Sequence, residues 1–355
     1  MVTITDLGII TSLGDDIGKI NAAVNAGINR FSETDIYGSD DDPVRLSCVP
    51  EAALESVVFN RGLRGRLSFY QKRLLRLAIL AARKMASNRM SKTIPLFLAG
   101  PENYCHGDVI NSVFLESLMQ YIPFDINSTD SCFINGGRTG SMVAIQSALA
   151  YLQSGKGDTA LVGAVDSFYD DEVLGFLDEH HRLLKMDGSD GFIPGEGAVF
   201  LLLKSVDAAR GSKLKSFISM QCPALHYQQK NTISSHALSA DLSRVIASCL
   251  DNIDMHTKTN DQKKIKHIIS GENGEMQPAK VLNVAITRNQ KSIDKNYLIH
   301  RPAQYLGDLG AAFVPAAIAL AGIKMRMQYI PNIVICCISD SGVCGALSMR
   351  LLAKD

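Results

Sequence analysis

Apolar positions along this chain recur in two rhythms. Buried or alternating runs predict strands at Val2 to Leu7, Ile94 to Ala99, Ser131 to Ile134, Thr159 to Val165 and Val199 to Leu203 in the first half. In the second half they predict strands at Ile218 to Gln221, Ile265 to Ile269, Val281 to Ala285, Asn332 to Ile338 and Ala346 to Leu352. Helical spacing predicts Ile17 to Ala26, capped by Asp15 or Asp16 and stopped at Gly27, together with Asp108 to Met119, Ser141 to Gln153, Ser239 to Asn252 and Ala311 to Ile323. Leu63 to Arg89 reads as a long amphipathic helix. Its Leu74, Leu75, Leu77, Leu80 and Ala81 turn inward, and Lys72, Arg73, Arg76, Arg83 and Lys84 form a basic outer face. Phe31 to Ala52 looks irregular, and Asn252 to Lys266 reads as a polar loop.

Strands and helices thus alternate in two successive sets, which implies a layered α/β architecture with a mainly parallel sheet. The stretch Val206 to Gly211 is a plausible hinge between halves 1–210 and 211–355. Each half holds one loop that leads into a buried helix, at Arg138 and at Gln304.

Charge adds little to this picture. Lys plus Arg and Asp plus Glu both number 36, so nothing favours a nucleic acid or an anionic membrane as partner. The eight cysteines form no CxxC pair and sit mostly among apolar neighbours, as reduced thiols do in a cytoplasmic protein. The N-terminus has no signal-peptide pattern, and the apolar run Gly310 to Ile323 is short and carries Pro315. No membrane span is expected. Cys336 and Cys337 should point to opposite sides of one strand. Glu179, His180 and His181 lack a second cluster to complete a metal site, so they read as surface residues; neither metal nor cofactor is expected.

The chemistry concentrates between Asn135 and Glu196. A glycine-bracketed loop, Asn135-Gly136-Gly137-Arg138-Thr139-Gly140, feeds an apolar helix, which is how some acyl-transfer enzymes present a nucleophile. At its centre stands Arg138, a permanent cation with no lone pair to attack a thioester. Cys132, on a strand, lacks the helix-end field that activates a thiol. Glu196 reads as a structural hydrogen-bonding residue, and Gly137, Gly140, Gly195 and Gly342 as backbone-permissive positions around a pocket.

Several motifs in order resemble the β-ketoacyl-acyl-carrier-protein synthase family. They are Gly8…Ser12-Leu13-Gly14…Ala26-Gly27, Gly140 through Gly163-Ala164-Val165-Asp166, and Asp190-Gly191-Phe192…Gly195-Glu196-Gly197-Ala198. Leu306-Gly307-Asp308-Leu309-Gly310-Ala311-Ala312 and Gly342-Val343-Cys344-Gly345-Ala346-Leu347 follow in the second half. The resemblance implies a thiolase-like fold: two pseudo-repeated βαβ halves in a layered αβαβα arrangement. It also implies a catalytic cysteine and two histidines. Aligned positions hold Arg138, Asn273 and Gln304 instead, Ile299 stands where the family has a lysine, and Ser339 to Cys344 replaces its glycine-rich gatekeeping turn.

Asparagine and glutamine donate hydrogen bonds but do not shuttle protons. The resemblance therefore implies a catalytically silent subunit of the chain-length-factor type, as in type II polyketide or aryl-polyene systems. Such a subunit pairs with an active ketosynthase and meets acyl carrier protein through that complex. Alternatives are a malonyl decarboxylase or acyltransferase using the residual pocket, or an acyl-binding homodimer. The family's dimer contact would fall on Leu115 to Ile134, with Phe114, Leu118, Met119, Tyr121, Ile122 and Phe124. A cation at a helix N-terminus opposes the helix dipole, so Arg138 should be paired with an acid from the second half; the candidates are Glu272, Glu275 and Asp308.

Overall fold

A computed structural model describes residues 2–39, 42–60, 66–85, 93–185, 188, 190–205, 216–228, 234–254 and 264–353. The expected hinge, 206–211, and the boundary between the halves lie outside the described residues. The first half holds β1 (Val2–Thr11), α1 (Ile17–Asn25), the hairpin β2 (Ser32–Tyr37) and β3 (Pro43–Leu46), α2 (Glu51–Glu55), α3 (Phe69–Lys84), β4 (Leu96–Gly100) and α4 (Ser112–Met119). It continues with β5 (Cys132–Asn135), α5 (Gly137–Gln153), β6 (Thr159–Ser167), α6 (Asp171–Glu179) and β7 (Glu196–Ser205). The second half holds β8 (Ser216–Met220), β9 (Ala224–His226), α7 (Ser235–Asp254), β10 (Ile265–Ser270), α8 (Met276–Arg288) and β11 (Ile293–His300). It closes with α9 (Ala303–Leu306), a 3-10 turn Gly310–Ala312, α10 (Phe313–Gln328), β12 (Asn332–Ile338) and β13 (Cys344–Ala353).

Among the described residues the strands outside the β2–β3 hairpin form one eleven-stranded sheet, in the order β11-β10-β12-β13-β8-β1-β7-β6-β4-β5, with β9 added on β13. The two ends of that order repeat one another. Numbered within each half, both read third, second, fourth, fifth, first, and the halves meet where β1 pairs β8 at Val2 and Thr3. Helices then fall into layers. α5 and α10 pack together between the two half-sheets, in a central core that includes Ile145, Ala148, Val314 and Ile318. α3 and α4 cover the outer face of the first half-sheet, and α7 and α8 that of the second. This is the layered αβαβα arrangement, with α5 and α10 as the buried middle.

Local chemistry explains the element ends. The Asp16 side chain caps α1 by accepting from Lys19 N, and Gly27 follows it at φ 73°. Ser68 and Gln71 form a capping box that starts α3. The helix therefore starts at Phe69 rather than at Leu63 as expected, and runs to Lys84; residues 61–65 and 86–92 lie outside the described residues.

Several expectations are corrected. The sheet is mixed rather than mainly parallel: β4–β5, β4–β6, β10–β11 and β10–β12 are parallel, and the other pairs are antiparallel. Strands buried on both faces are apolar in either direction, so their patterning carries no orientation. Val281 to Ala285 lies within α8, where Val281, Leu282, Ala285 and Ile286 make one buried helical stripe; a window of five residues hides that period. The described residues of the Phe31 to Ala52 stretch form the β2–β3 hairpin and the start of α2. The apolar run at Gly310 extends to Gln328, a helical segment of 19 residues long and apolar enough to cross a membrane, with 78% of its window buried inside the fold. Phe114 and Leu118 are fully buried, and Ile122 and Phe124 nearly so, in the core under α3 and α4. Met119 and Tyr121 pack on the edge of that core. Four of these six expected contact residues are thus buried within the chain, and Met119 and Tyr121 stay partly exposed.

Arg73 is also corrected. It does not join a solvated basic face; it turns inward to Glu196 at the start of β7. Its Nε and Nη2 donate to Glu196 Oε2 and Oε1 at 2.7 and 2.9 Å, and its Nη1 donates to Glu51. Glu196 is fully buried and also accepts from Val49 N and Ser167 Oγ, as expected of a structural residue. Cys336 and Cys337 face the outer and central cores respectively, as their alternation requires. Breaking a buried pair by removing one partner leaves an uncompensated charge. Glu196→Ala is therefore expected to destabilise the chain by about 3–5 kcal/mol in urea denaturation, against a cost within about 0.5 kcal/mol for exposed Glu33→Ala.

Candidate functional site

The site lies where the N-terminus of α5 meets loops of the second half. Gly137, at φ 51°, opens the helix, and a Cβ there would meet the Glu102 carboxylate at 2.7 Å. The next residue, Arg138, is 4% exposed. Its Nε donates to both Asp308 oxygens at 3.1 Å, its Nη2 donates to Asp308 Oδ2, and its Nη1 donates to Asp340 Oδ1 at 2.9 Å. A cation facing the positive end of a helix dipole is thereby held by two carboxylates.

These groups belong to a closed circuit. Asn273 Nδ2 donates to Asp308 Oδ2 at 2.9 Å and to Glu275 Oε2 at 3.0 Å. Arg182 clasps Glu275 with two bonds of 2.8 Å and donates to Asp340 at 2.6 Å, which returns the circuit to Arg138. Tyr104 OH donates to Asp340 as well, at 2.6 Å. Arg182 also lies over the Phe192 ring, 5.2 Å from its centroid. Burial works against the Arg138 charge, but Asp308 and Asp340 outweigh it and hold its pKa above the ordinary arginine value. Burial also works against the Asp340 carboxylate, yet Arg138 and Arg182 keep it well below the usual carboxylate range.

Two neighbouring acids differ. Burial, with Asp340 second, raises Glu102, which accepts from the amides of Asp340 and Ser341. Burial pushes Asp166 up to about 7, although the amides of Ala311 and Ser167 donate to it.

A cavity of about 230 Å³ opens beside the circuit. Leu238 and Leu242 of α7, Val281 and Leu282 of α8, and Cys336 and Ile338 of β12 make its apolar wall. Arg138, Asn273, Glu275 and Asp340 make the polar end, with the guanidinium at the head of α5. Arginine and asparagine are not nucleophiles, and neither titrates as histidine does. Cys337 lies close by, its Sγ 3.6 Å from the Arg138 carbonyl, but burial pushes its thiol well above the ordinary range. Burial likewise raises Cys132.

The other sequence candidates separate clearly. Of the three proposed acid partners, Asp308 pairs with Arg138; Glu275 pairs with Arg182, and Glu272 with Arg301 at 2.8 Å. Asp340 is the partner that was missed, because its turn was read only as an altered gatekeeping loop. Gln304 does not join Arg138 and Asn273. It is exposed on α9 and lines another cavity with Tyr305 and Lys324; Asp308, four residues later, fills the central place. Ile299 lines that second cavity too.

Gly195 is needed by close approach: a Cβ would meet Leu306 O at 2.7 Å, where Gly195 N donates to Asp308 O and Asp308 N donates to Ile193 O. Gly342 has φ 83°, whereas Gly140 meets only ordinary contacts. His180 and His181 are exposed.

Residues 131–209 match the family model of the β-ketoacyl synthase N-terminal domain. A segment of 128 residues, 34% of the chain, is 28% identical to the polyketide synthase ThaG of Burkholderia thailandensis, and it spans 2% of that protein's length. The fold is that of solved ketosynthases. A type II polyketide ketosynthase, solved in complex with its acyl-carrier protein and bound to the hexaketide, is 13% identical with a TM-score of 0.75, each chain covered to 98%. The ishigamide ketosynthase/chain length factor is 15% identical, again with 98% of both chains covered and a TM-score of 0.75. A Streptomyces albus oxazolomycin ketosynthase domain is 12% identical with a TM-score of 0.77, over 100% of this chain and 74% of that domain. The chain shares the thiolase-like fold of these ketosynthases, and its residues 131–209 carry the ketosynthase N-terminal sequence pattern.

Two outcomes follow from the charges. Arg138→Met leaves Asp308 and Asp340 without their shared cation, and is expected to cost about 3–5 kcal/mol in urea denaturation. Pairing it with Asp308→Leu should recover part of that loss, giving a coupling of more than about 1 kcal/mol in the double-mutant cycle. Asp166, with its folded pKa raised to about 7, binds more protons folded than unfolded from about pH 4 upward. Its contribution therefore falls as pH rises from about 4 to 7, and Asp166→Asn should flatten that slope when unfolding is measured across the window.

Proposed function

We propose that this chain is a non-catalytic ketosynthase-like subunit of the chain-length-factor type, acting in polyketide or aryl-polyene chain elongation beside an active ketosynthase. The observation that carries the reading is the locked guanidinium: Arg138 at the head of α5, tied to Asp308 and Asp340, fills the position where condensation needs a thiolate. The opposing loops offer Asp308, which holds that cation, and Asn273, which donates to Asp308; neither can serve as the histidine pair the reaction calls for.

The pairing surface we propose is the β5 edge. Among the described strands β5 has a neighbour only in β4, and Phe133 on it is 39% exposed. An unpaired edge of this kind suits addition of a partner strand. Acyl carrier protein would be met through the resulting complex.

Co-expression with a ketosynthase that has an intact Cys-His-His set, followed by native mass spectrometry and an elongation assay, tests this. A 1:1 complex whose activity is lost when this chain is omitted is expected. Turnover of malonyl-carrier protein by this chain alone would overturn the reading in favour of a decarboxylase or acyltransferase.

A further inference from the structure

A second cavity, of about 270 Å³, lies away from the Arg138 circuit, between the end of α1, α9, α10 and the ends of β10 and β11. Lys324 of α10 lines it, 8% exposed, with Nζ donating to Asn25 Oδ1 at 2.9 Å. No carboxylate among the described residues forms an ion pair with it, and burial lowers its pKa. A buried ammonium held only by an amide oxygen is costly unless a counter-charge is supplied.

The surrounding charges do not supply it. Arg301 on the cavity wall is already paired with Glu272. His300, also on the wall, stacks on His267 with rings 4° apart and Nδ1 of His267 3.0 Å from its Nε2. Burial, Lys324 and His267 hold His300 down to about 4, so at neutral pH the pair is uncharged and can donate one ring N–H. Lys266 is a further cation acting on His267. The remaining wall includes apolar Val24, Ile269, Ile299 and Leu320.

We infer that this cavity binds a small organic anion, its single charge on Lys324 and its short hydrocarbon body against Val24, Ile269, Ile299 and Leu320. One uncompensated cation suits a monoanion, and the apolar wall suits a short-chain carboxylate over a fully hydrated inorganic ion. This site is independent of the function proposed above.

Thermal unfolding of the full chain with butyrate, and with the neutral isostere butyramide, at matched ionic strength provides the test. Butyrate at about tenfold its Kd should raise the unfolding midpoint by a few degrees, with butyramide giving no shift. Lys324→Met should abolish the butyrate shift, and Lys324→Arg should keep it. His300→Phe, which leaves Lys324 in place, should weaken butyrate binding in calorimetry if Lys324→Met proves poorly folded. No shift with butyrate, an equal shift with butyramide, or a shift kept in Lys324→Met would overturn the inference.

Discussion

A guanidinium buried at the positive end of a helix is the constraint on which the site depends. Neither the helix dipole nor burial tolerates Arg138 alone, so the second half must bring carboxylates to it. Asp308 and Asp340 do so from two separate loops, the first leading into α10 and the second following β12. Each of those acids is then engaged by another group, Asn273 for Asp308 and Arg182 for Asp340, and Glu275 joins the two. The circuit ties α5 of the first half to three loops of the second.

The Asp190–Ala198 segment is pinned by an ion pair and by a backbone hydrogen bond. Glu196 is gripped by Arg73 of α3, and one residue earlier Gly195 is latched to the backbone of Asp308. The buried pair outside the site and the buried pair within it therefore act on adjacent residues of one loop. Phe192 completes the arrangement by packing beneath Arg182. What the scaffold holds rigid is the surround of the Arg138 circuit, with an apolar cavity beside it.

The fold was largely readable from the sequence because its strands are continuous apolar runs and its motifs fall in order; Asn332–Ile338 is found with the expected ends. Strand direction was not readable, since doubly buried strands look alike either way, and α8 was hidden because a window of five residues spans little more than one helical turn. At the site, Arg138, Asn273 and Asp308 stood out through the resemblance. Arg182, Tyr104 and Asp340 carried no local pattern, because a partner 158 or 202 residues away leaves no mark on spacing. Gln304 was misplaced for the opposite reason: counting along a motif cannot register that the chain turns through α9 before the acid arrives. Arg73 followed the basic stripe of its helix, and only Glu196 on a distant strand explains why it turns inward.

The claim that this pocket has lost its nucleophile is tested most directly by intact-mass spectrometry of the chain after incubation with acyl-carrier protein charged with an acyl thioester. Transfer to a nucleophile would leave a covalent acyl adduct on the chain. An unmodified mass is expected under conditions that acylate an active ketosynthase. An acyl adduct mapped to any residue of the Arg138 cavity, Cys337 above all, would contradict it.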